Sequence, residues 1–300
     1  MLPSARALLT RIVYEAVHPY IARLLPATNI ILNPYISGKL IPLQTTEAYS
    51  IITHLGSPAV QVLNGTLPVP PNELWEGYGD TEAEYLSCGH EDMASMLDIL
   101  KTVGESPQTL LRVLELGCAG GRMLRFYPYV EGKSEIWGVD IKSKHISWCQ
   151  QHLNPPFFFA TTTTMPHLPF EDNYFDLVYC GSVFTHITDL ADGWFLELRR
   201  ILRKGGYVYI TIHDKHSVDL LLTKYKDRKD YFFLIDMIRR LDKETSILSQ
   251  NYAYFSIGCE PKTQVFYDVE YLVHKWSRLA KVLSVTPEAY GYQTALLFQK

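Results

Sequence analysis

The sequence predicts an α/β fold: a mostly parallel sheet with helices on both faces, finished by an antiparallel hairpin at the C-terminus. Three observations predict it. Short apolar runs alternate with helical patterns between residues 110 and 213. A glycine-rich turn follows the first of these runs, and a carboxylate ends the second. Near the C-terminus, Val282–Val285 and Thr294–Gln299 are split by Pro287 and Gly291, which reads as a hairpin. Strands that alternate with helices need crossover connections, and these give parallel pairing with both sheet faces covered.

The elements follow in order. Residues 1–25 place Leu8, Ile12, Val13, Ala16, Tyr20 and Leu24 at helical spacing, interrupted by Arg6, Arg11, Glu15 and Arg23. No apolar run there approaches the roughly 18 residues of a membrane span. An amphipathic helix is expected, packed on the protein or on a second copy in a homodimer. Residues 26–80 are rich in proline and glycine, so irregular structure is expected, with a short helix at 45–55. Thr81–Val103 turns helical and ends at Gly104–Pro107. Leu110–Leu116 is the first core strand, and Gly120–Tyr127 is expected to open a helix. Ser134–Asp140 is the second strand, and Ser143 is placed to cap the helix after it. Phe157–Ala160 and Tyr174–Cys180 are the third and fourth. A helix over 189–202 is expected to break at Gly205–Gly206, before a fifth strand at Tyr207–His213. Residues 215–245 read as helix, followed by two short aromatic strands at about 250–257 and 263–267 joined through Glu260–Pro261, then a helix over 268–280.

Composition narrows the function. The chain has 300 residues, 47% hydrophobic and 20% charged, enough to bury a large core without disulfides. Its net charge of −4 gives no basic field for a nucleic-acid backbone, so nucleic acid is disfavoured as a partner. Five cysteines, Cys88, Cys118, Cys149, Cys180 and Cys259, form no CxxC pair. That pattern suits a reduced, cytoplasmic protein without integral membrane contact.

The chemistry concentrates in Leu114-Glu115-Leu116-Gly117-Cys118-Ala119-Gly120-Gly121-Arg122. Small residues after a buried strand let backbone amides approach a ligand closely. Asp140, at the end of the next strand, is placed to accept both hydroxyls of a ribose. Turn and carboxylate together point to a nucleoside-bearing cofactor.

Here the sequence resembles the class I S-adenosylmethionine-dependent methyltransferases. The resemblance rests on Glu115, two residues before the first glycine, and continues through Met165–Asp172, Tyr174–Val178, Ser182–Ile187 and Glu197–Gly206. It implies a Rossmann-like sheet of seven strands with an antiparallel terminal hairpin, an N-terminal helical extension over 1–104, and a methyltransferase domain over 105–300. It implies S-adenosylmethionine as cofactor, with Gly117, Ala119 and Gly121, flanked by Cys118 and Arg122, along its methionine and ribose side. Glu115 would lie near its amino group, Asp140 on its ribose hydroxyls, and Ile141 and Met165 against adenine. Thr164 stands where the family usually has aspartate, so a hydroxyl or a carbonyl would have to accept the adenine amino group. Cys180 and Ser182 would flank the methyl group.

A hydroxyl acceptor must lose its proton, and histidine suits that near neutral pH. His186 follows the fourth strand, and His213 with Asp214 follows the fifth, both at the carboxyl edge of the sheet. Asp214 is placed to orient His213 or to bind a substrate hydroxyl. The metal-ligand spacing of His213, Asp214 and His216 is weak, and no metal is expected. The long segment 214–267, with Tyr254 among its aromatics, is expected to roof the substrate site as a cap. Trp75–Tyr78 and Tyr85 are expected to fold over the cofactor as a lid. The reading is methylation of a small molecule, at the oxygen of a sugar or secondary metabolite. A nitrogen or macromolecule methyltransferase and a non-catalytic binding module are the alternatives. A nicotinamide enzyme is disfavoured by the loop spacing. Asn154-Pro155-Pro156-Phe157 has the composition of an amide-methylating motif but precedes the third strand, the wrong place for it.

Overall fold

The computed structural model describes residues 38–42, 49–53, 67–258 and 263–300. The helix expected over 1–25, Cys259 and the Glu260–Pro261 turn lie outside the described residues. Two short strands, β1 (Gly38–Pro42) and β2 (Tyr49–Thr53), pair antiparallel. Of the short helix expected at 45–55, the described residues Tyr49–Thr53 are strand, in keeping with the β-branched run Ile51-Ile52-Thr53.

Helix α1 (Glu82–Thr102) starts at a capping box. The Glu84 amide donates to Thr81 Oγ1 and the Thr81 amide donates to Glu84 Oε2, both at 3.2 Å. Its buried face carries Tyr85, Met93, Met96 and Leu100.

The central sheet has seven strands. Five are parallel: β3 (Arg112–Leu116), β4 (Glu135–Asp140), β5 (Phe158–Thr161), β6 (Phe175–Cys180) and β7 (Leu202–Ile212). On the cap side of the chain come β8 (Tyr254–Ile257) and β9 (Gln264–Tyr267), an antiparallel pair of their own. The terminal hairpin, β10 (Lys281–Tyr290) and β11 (Gln293–Gln299), joins the sheet antiparallel to β7. The strand order is β10-β11-β7-β6-β3-β4-β5. From β3 the chain winds outward through β4 and β5, then crosses back to β6 on the other side of β3. That reversal opens a crevice beyond the carboxyl ends of β3 and β6, the place where open α/β sheets bind ligands.

Helices α2 (Ser143–His152), α3 (Ala191–Ile201) and α6 (Val269–Trp276) cover the sheet with α1. One face packs Met93, Met96, Cys149, Tyr179 and Tyr209. The other packs Trp194, Phe195, Leu198, Trp276 and Phe298. The Phe195 and Trp276 rings stack at 4.3 Å, and both are completely buried. Burial of each such side chain contributes roughly 2–3 kcal/mol before entropy is counted.

Several local expectations are corrected. No α-helix follows the glycine turn; one 3-10 turn, Leu124–Phe126, stands there. Gly117, Ala119 and Gly121 all take positive φ, so a right-handed helix cannot begin before Arg122, and Pro128 stops it soon after. Ser143 is the first residue of α2, and no side chain caps that helix. Gly205 and Gly206 lie inside β7, where the Gly205 amide donates to the Lys300 carbonyl at 2.9 Å. The 215–245 pattern splits into α4 (Lys215–Leu222) and α5 (Phe232–Thr245). These two helices and β8–β9 share a separate small core of Val218, Leu221, Ile235, Ile238, Phe255 and Phe266.

Candidate active site

The turn after β3 is held from both sides. The Gly117 amide donates to the Val139 carbonyl at 2.7 Å, and the Gly121 amide to the Cys118 carbonyl at 2.8 Å. The glycines are needed for packing as well as for φ. A Cβ on Gly117 would lie 2.4 Å from Val183, and one on Gly121 would lie 2.7 Å from Leu153. Asp140, buried at the end of β4, accepts the Ala119 amide at 2.9 Å and the Lys142 amide at 2.8 Å. Burial raises its carboxyl above the ordinary range, and those two amides oppose the shift.

Above this turn lies a narrow cleft walled by Trp75, Tyr78, Tyr85, Glu115, Arg122 and Tyr290. Glu115 is buried, and its carboxyl is pushed up to about 8, chiefly by loss of solvent. The Tyr179 hydroxyl donates to it at 3.1 Å. The Tyr85 hydroxyl is buried in the same wall and meets no partner among the described residues. Such a group costs free energy unless a ligand satisfies it. Arg122 pairs with Asp92 at 2.7 Å and lies 3.8 Å from the centre of the Tyr78 ring. It also donates to the Tyr290 hydroxyl, which in turn donates to Tyr78 at 3.0 Å.

An S-adenosyl group fits these residues. A carboxylate beside a cation and an unpartnered hydroxyl face one cleft, and the acidic end of β4 holds the Ala119 amide of the turn that lines it. Ile141 and Met165 stand largely exposed, at 48% and 53%, as free apolar surface beside Asp140 and beyond β5. Thr164 is also exposed, and its carbonyl accepts Trp194 Nε1 at 3.2 Å, which leaves its hydroxyl without a partner among the described residues.

The segment Trp75–Tyr78 crosses the cleft. Trp75 stacks on Tyr85 at 5.2 Å, and its ring nitrogen donates to the Pro70 carbonyl at 2.7 Å. Glu76 reaches the start of α2, with Lys142 Nζ at 2.5 Å and His145 Nε2 at 2.8 Å. The hydrogen bond from His145, and after it the Lys142 ammonium, draw the Glu76 carboxyl down to about 2.

Four expected site residues are placed elsewhere. Cys180 is fully buried, its thiol turned to the Tyr209 carbonyl at 3.6 Å, so it does not flank the cleft; the neighbouring Gly181 does. Asp214 neither touches His213 nor faces a substrate. It caps α4, accepting the Ser217 amide at 2.9 Å, and takes the Thr294 hydroxyl at 2.8 Å. Tyr254 lies on the outside of the cap, its hydroxyl donating to Asp189 at 2.7 Å. His213 is sealed between the Phe266 and Tyr292 rings, at 4.9 and 5.2 Å, and neither ring nitrogen meets a hydrogen-bond partner among the described residues. Loss of solvent depresses it to about 3, which keeps the imidazole neutral.

His186 is different. It is exposed, and its Nδ1 lies 2.7 Å from the Thr263 carbonyl. A carbonyl only accepts, so Nδ1 carries the proton, and in the neutral ring the lone pair lies on Nε2. Ser182, at φ 57°, belongs to a closed hydrogen-bond ring. Its amide donates to Thr211 Oγ1 at 2.7 Å, Thr211 donates to Gln293 Oε1 at 2.7 Å, and Gln293 Nε2 returns to Ser182 Oγ at 2.8 Å. The ring fixes the carboxyl ends of β6 and β7 against β11. Among the described residues, no group of His, Cys, Asp and Glu clusters as metal ligands, and no helix is long and apolar enough to cross a membrane.

Asp92, Tyr290 and Gln293 escape sequence reasoning, as do the contacts of Glu76, inside the expected lid, with Lys142 and His145. One signal was present in α1: Tyr85, Gly89 and Asp92 share a face, and a mid-helix glycine costs about 1 kcal/mol without a reason. The reason is Arg122, whose carbonyl would lie 2.3 Å from a Cβ at Gly89.

Residues 114–210 match the methyltransferase domain family. A fatty-acid O-methyltransferase of Mycolicibacterium smegmatis is 30% identical over 100 residues, 33% of this chain and 36% of that protein. A sterol 24-C-methyltransferase of Schizosaccharomyces pombe is 33% identical over 100 residues, 32% of this chain and 26% of that one. The matches therefore span little more than a third of the curated relatives. Among solved structures, magnesium protoporphyrin IX methyltransferase of Synechocystis, with bound S-adenosylhomocysteine, aligns at TM-score 0.47 and 15% identity over 75% of this chain and 91% of that one. With the glycine turn, the acidic end of β4 and the seven-strand order in place, the chain carries a methyltransferase domain of the class I S-adenosylmethionine-dependent family.

Proposed function

We propose that the protein transfers a methyl group from S-adenosylmethionine to an oxygen of a small, largely apolar molecule. The observation that carries this reading is the cleft beyond β3, where Glu115 and the unpartnered Tyr85 hydroxyl face the Asp140-anchored turn. When bound, the cofactor supplies a methyl carbon on a positively charged sulfur, so alignment matters more than activation. Asp140 holds the ribose hydroxyls, Glu115 the amino group, and Ile141 with Met165 the adenine. Trp75–Tyr78 is the lid, and the 214–267 segment is the cap.

His186 is the base in this reading. With Nδ1 bonded to the Thr263 carbonyl, Nε2 would be free to take the proton of an acceptor hydroxyl. His213 is sealed away from that role. Trp75, Tyr78 and Tyr290 give the cleft aromatic walls on which an apolar acceptor can pack. A relative named as a fatty-acid O-methyltransferase agrees with that acceptor class.

The test is calorimetric titration with S-adenosylmethionine, S-adenosylhomocysteine and NAD. Transfer of labelled methyl to a panel of apolar alcohols and acids follows. Micromolar binding of the first two and none of NAD is expected. NAD binding alone overturns the cofactor. Equal turnover by His186→Ala overturns the base.

A further inference from the structure

Hydrogen-bond direction in the cleft wall carries an assignment beyond that reading, on which it rests. Arg122 has only donors, so the Tyr290 hydroxyl must accept from it. Tyr290 is then free to donate its own proton, and it does so to the Tyr78 hydroxyl at 3.0 Å. Tyr78 therefore accepts from behind and has its own proton left to give. Among the described residues that proton meets no acceptor, and Tyr78 is half-buried at the cleft. The chain is rigid at its root. Asp92 holds the guanidinium at 2.7 Å, and the cation lies 3.8 Å from the Tyr78 ring centre and 5.4 Å from that of Tyr290. Each donor in a chain polarises the next, so the last hydroxyl is a stronger donor than an isolated tyrosine.

We propose that Tyr78, at the end of the Arg122–Tyr290–Tyr78 chain, is the residue that binds a carboxylate in the cleft. A charge-assisted acceptor matches a polarised hydroxyl donor best. Two sources offer this chemistry: the amino-acid carboxylate of the cofactor and a carboxylate on the methyl acceptor.

The experiment compares wild type, Tyr78→Phe and Tyr290→Phe by calorimetry. The probes are S-adenosylhomocysteine and 5′-methylthioadenosine, which lacks the amino-acid portion. Decanoate against decanol, and benzoate against benzyl alcohol, are then titrated into the S-adenosylhomocysteine-loaded protein. Thermal melts confirm that each variant folds, and Tyr78, being half-buried, is the milder change. If the carboxylate is the cofactor's, Tyr78→Phe weakens S-adenosylhomocysteine roughly tenfold and leaves methylthioadenosine alone. If it is the acceptor's, Tyr78→Phe weakens decanoate or benzoate by a similar factor and spares the alcohols. In either case Tyr290→Phe gives a smaller loss on the same ligand. Equal affinity for every carboxylate, or equal losses with and without the carboxylate, overturns the assignment. Failure of wild type to bind S-adenosylhomocysteine overturns the methyltransferase reading as well, so the two failures are distinguishable.

Discussion

The Asp140 carboxylate accepts the Ala119 amide at 2.9 Å, tying the end of β4 to a turn 21 residues earlier in the chain. Ala119 has φ 44°, a conformation that L residues adopt only when neighbours impose it. The same carboxylate takes the Lys142 amide on its other oxygen. Asp140 is thus a structural anchor at the strand end where the proposed ribose contact falls.

That double role makes Asp140→Ala costly in two readouts. Two backbone amides lose their acceptor, worth about 0.5–1.5 kcal/mol each, so the variant melts at lower temperature. S-adenosylhomocysteine affinity falls at least roughly tenfold, because the ribose loses a charged acceptor. Asp140→Asn, with one acceptor oxygen instead of two, falls between. Calorimetry and melting of the three proteins decide it. An unchanged affinity in Asp140→Ala removes the residue from the binding site.

Glu115 predicts a pH dependence. Its carboxyl sits at about 8 in the free cleft, against 4.5 for an ordinary glutamate. The folded chain therefore holds a proton that the unfolded chain releases. Glu115 favours the fold below pH 4.5, and that contribution is lost as pH rises from 4.5 towards 8. A ligand ammonium reverses the preference by favouring the carboxylate. Between pH 6 and 8, S-adenosylhomocysteine binding should release a proton and tighten as pH rises. Titrations in buffers of different ionisation enthalpy count the proton. Glu115→Gln should abolish the slope, and a slope that survives this change refutes the assignment.

His213 predicts the opposite limb. It is about 3 in the fold and 6.5 when free, so the unfolded chain takes up the proton first. Its contribution is intact above pH 6.5 and is lost as pH falls from 6.5 towards 3. His213→Phe removes both unpartnered nitrogens and keeps a ring between Phe266 and Tyr292. We expect a gain of about 1–3 kcal/mol at pH 7 and a larger one at pH 4. Melts at the two pH values test this; curves parallel to wild type contradict it. Methyl transfer should persist in this variant.

The contrast between His213 and Asp214 marks what a sequence can disclose. The strands were legible because apolar runs and glycines repeat at fold-determining intervals, and β3, β4, β6 and the terminal hairpin lie close to their expected places. The turn, Glu115 and Asp140 were legible because they sit at strand ends. Asp214 was misjudged although Asp214-Lys215-His216-Ser217 is itself a capping pattern; the local hydrogen bond outcompeted the distant one. His213 ends a strand as expected, but the cap's aromatic strand and Tyr292 close over it, and no local pattern records that. Arg122 gained Tyr290 from 168 residues away, which only the closed sheet brings near.

Glu76 supplies the last prediction. Its carboxylate joins the cleft-crossing segment to Lys142 and His145, at the start of the helix that follows Asp140. The contact lies at the cleft mouth, where Trp75 and Tyr78 from the same segment form the wall. If that segment is the lid proposed above, cofactor bound beneath it leaves only when the contact parts. Glu76→Gln keeps the size and loses the charge, so the segment should open more often. We expect S-adenosylhomocysteine to dissociate roughly three- to tenfold faster, with a smaller change in equilibrium affinity because association quickens too. The same release should come with acid in wild type: Glu76 is held at about 2, so its attachment is complete above pH 4.5 and is lost as pH falls towards 2. Stopped-flow displacement of the ligand from wild type and Glu76→Gln at pH 7 measures the rates. Identical dissociation in the two proteins means that the segment is a fixed wall and the ligand leaves by another path.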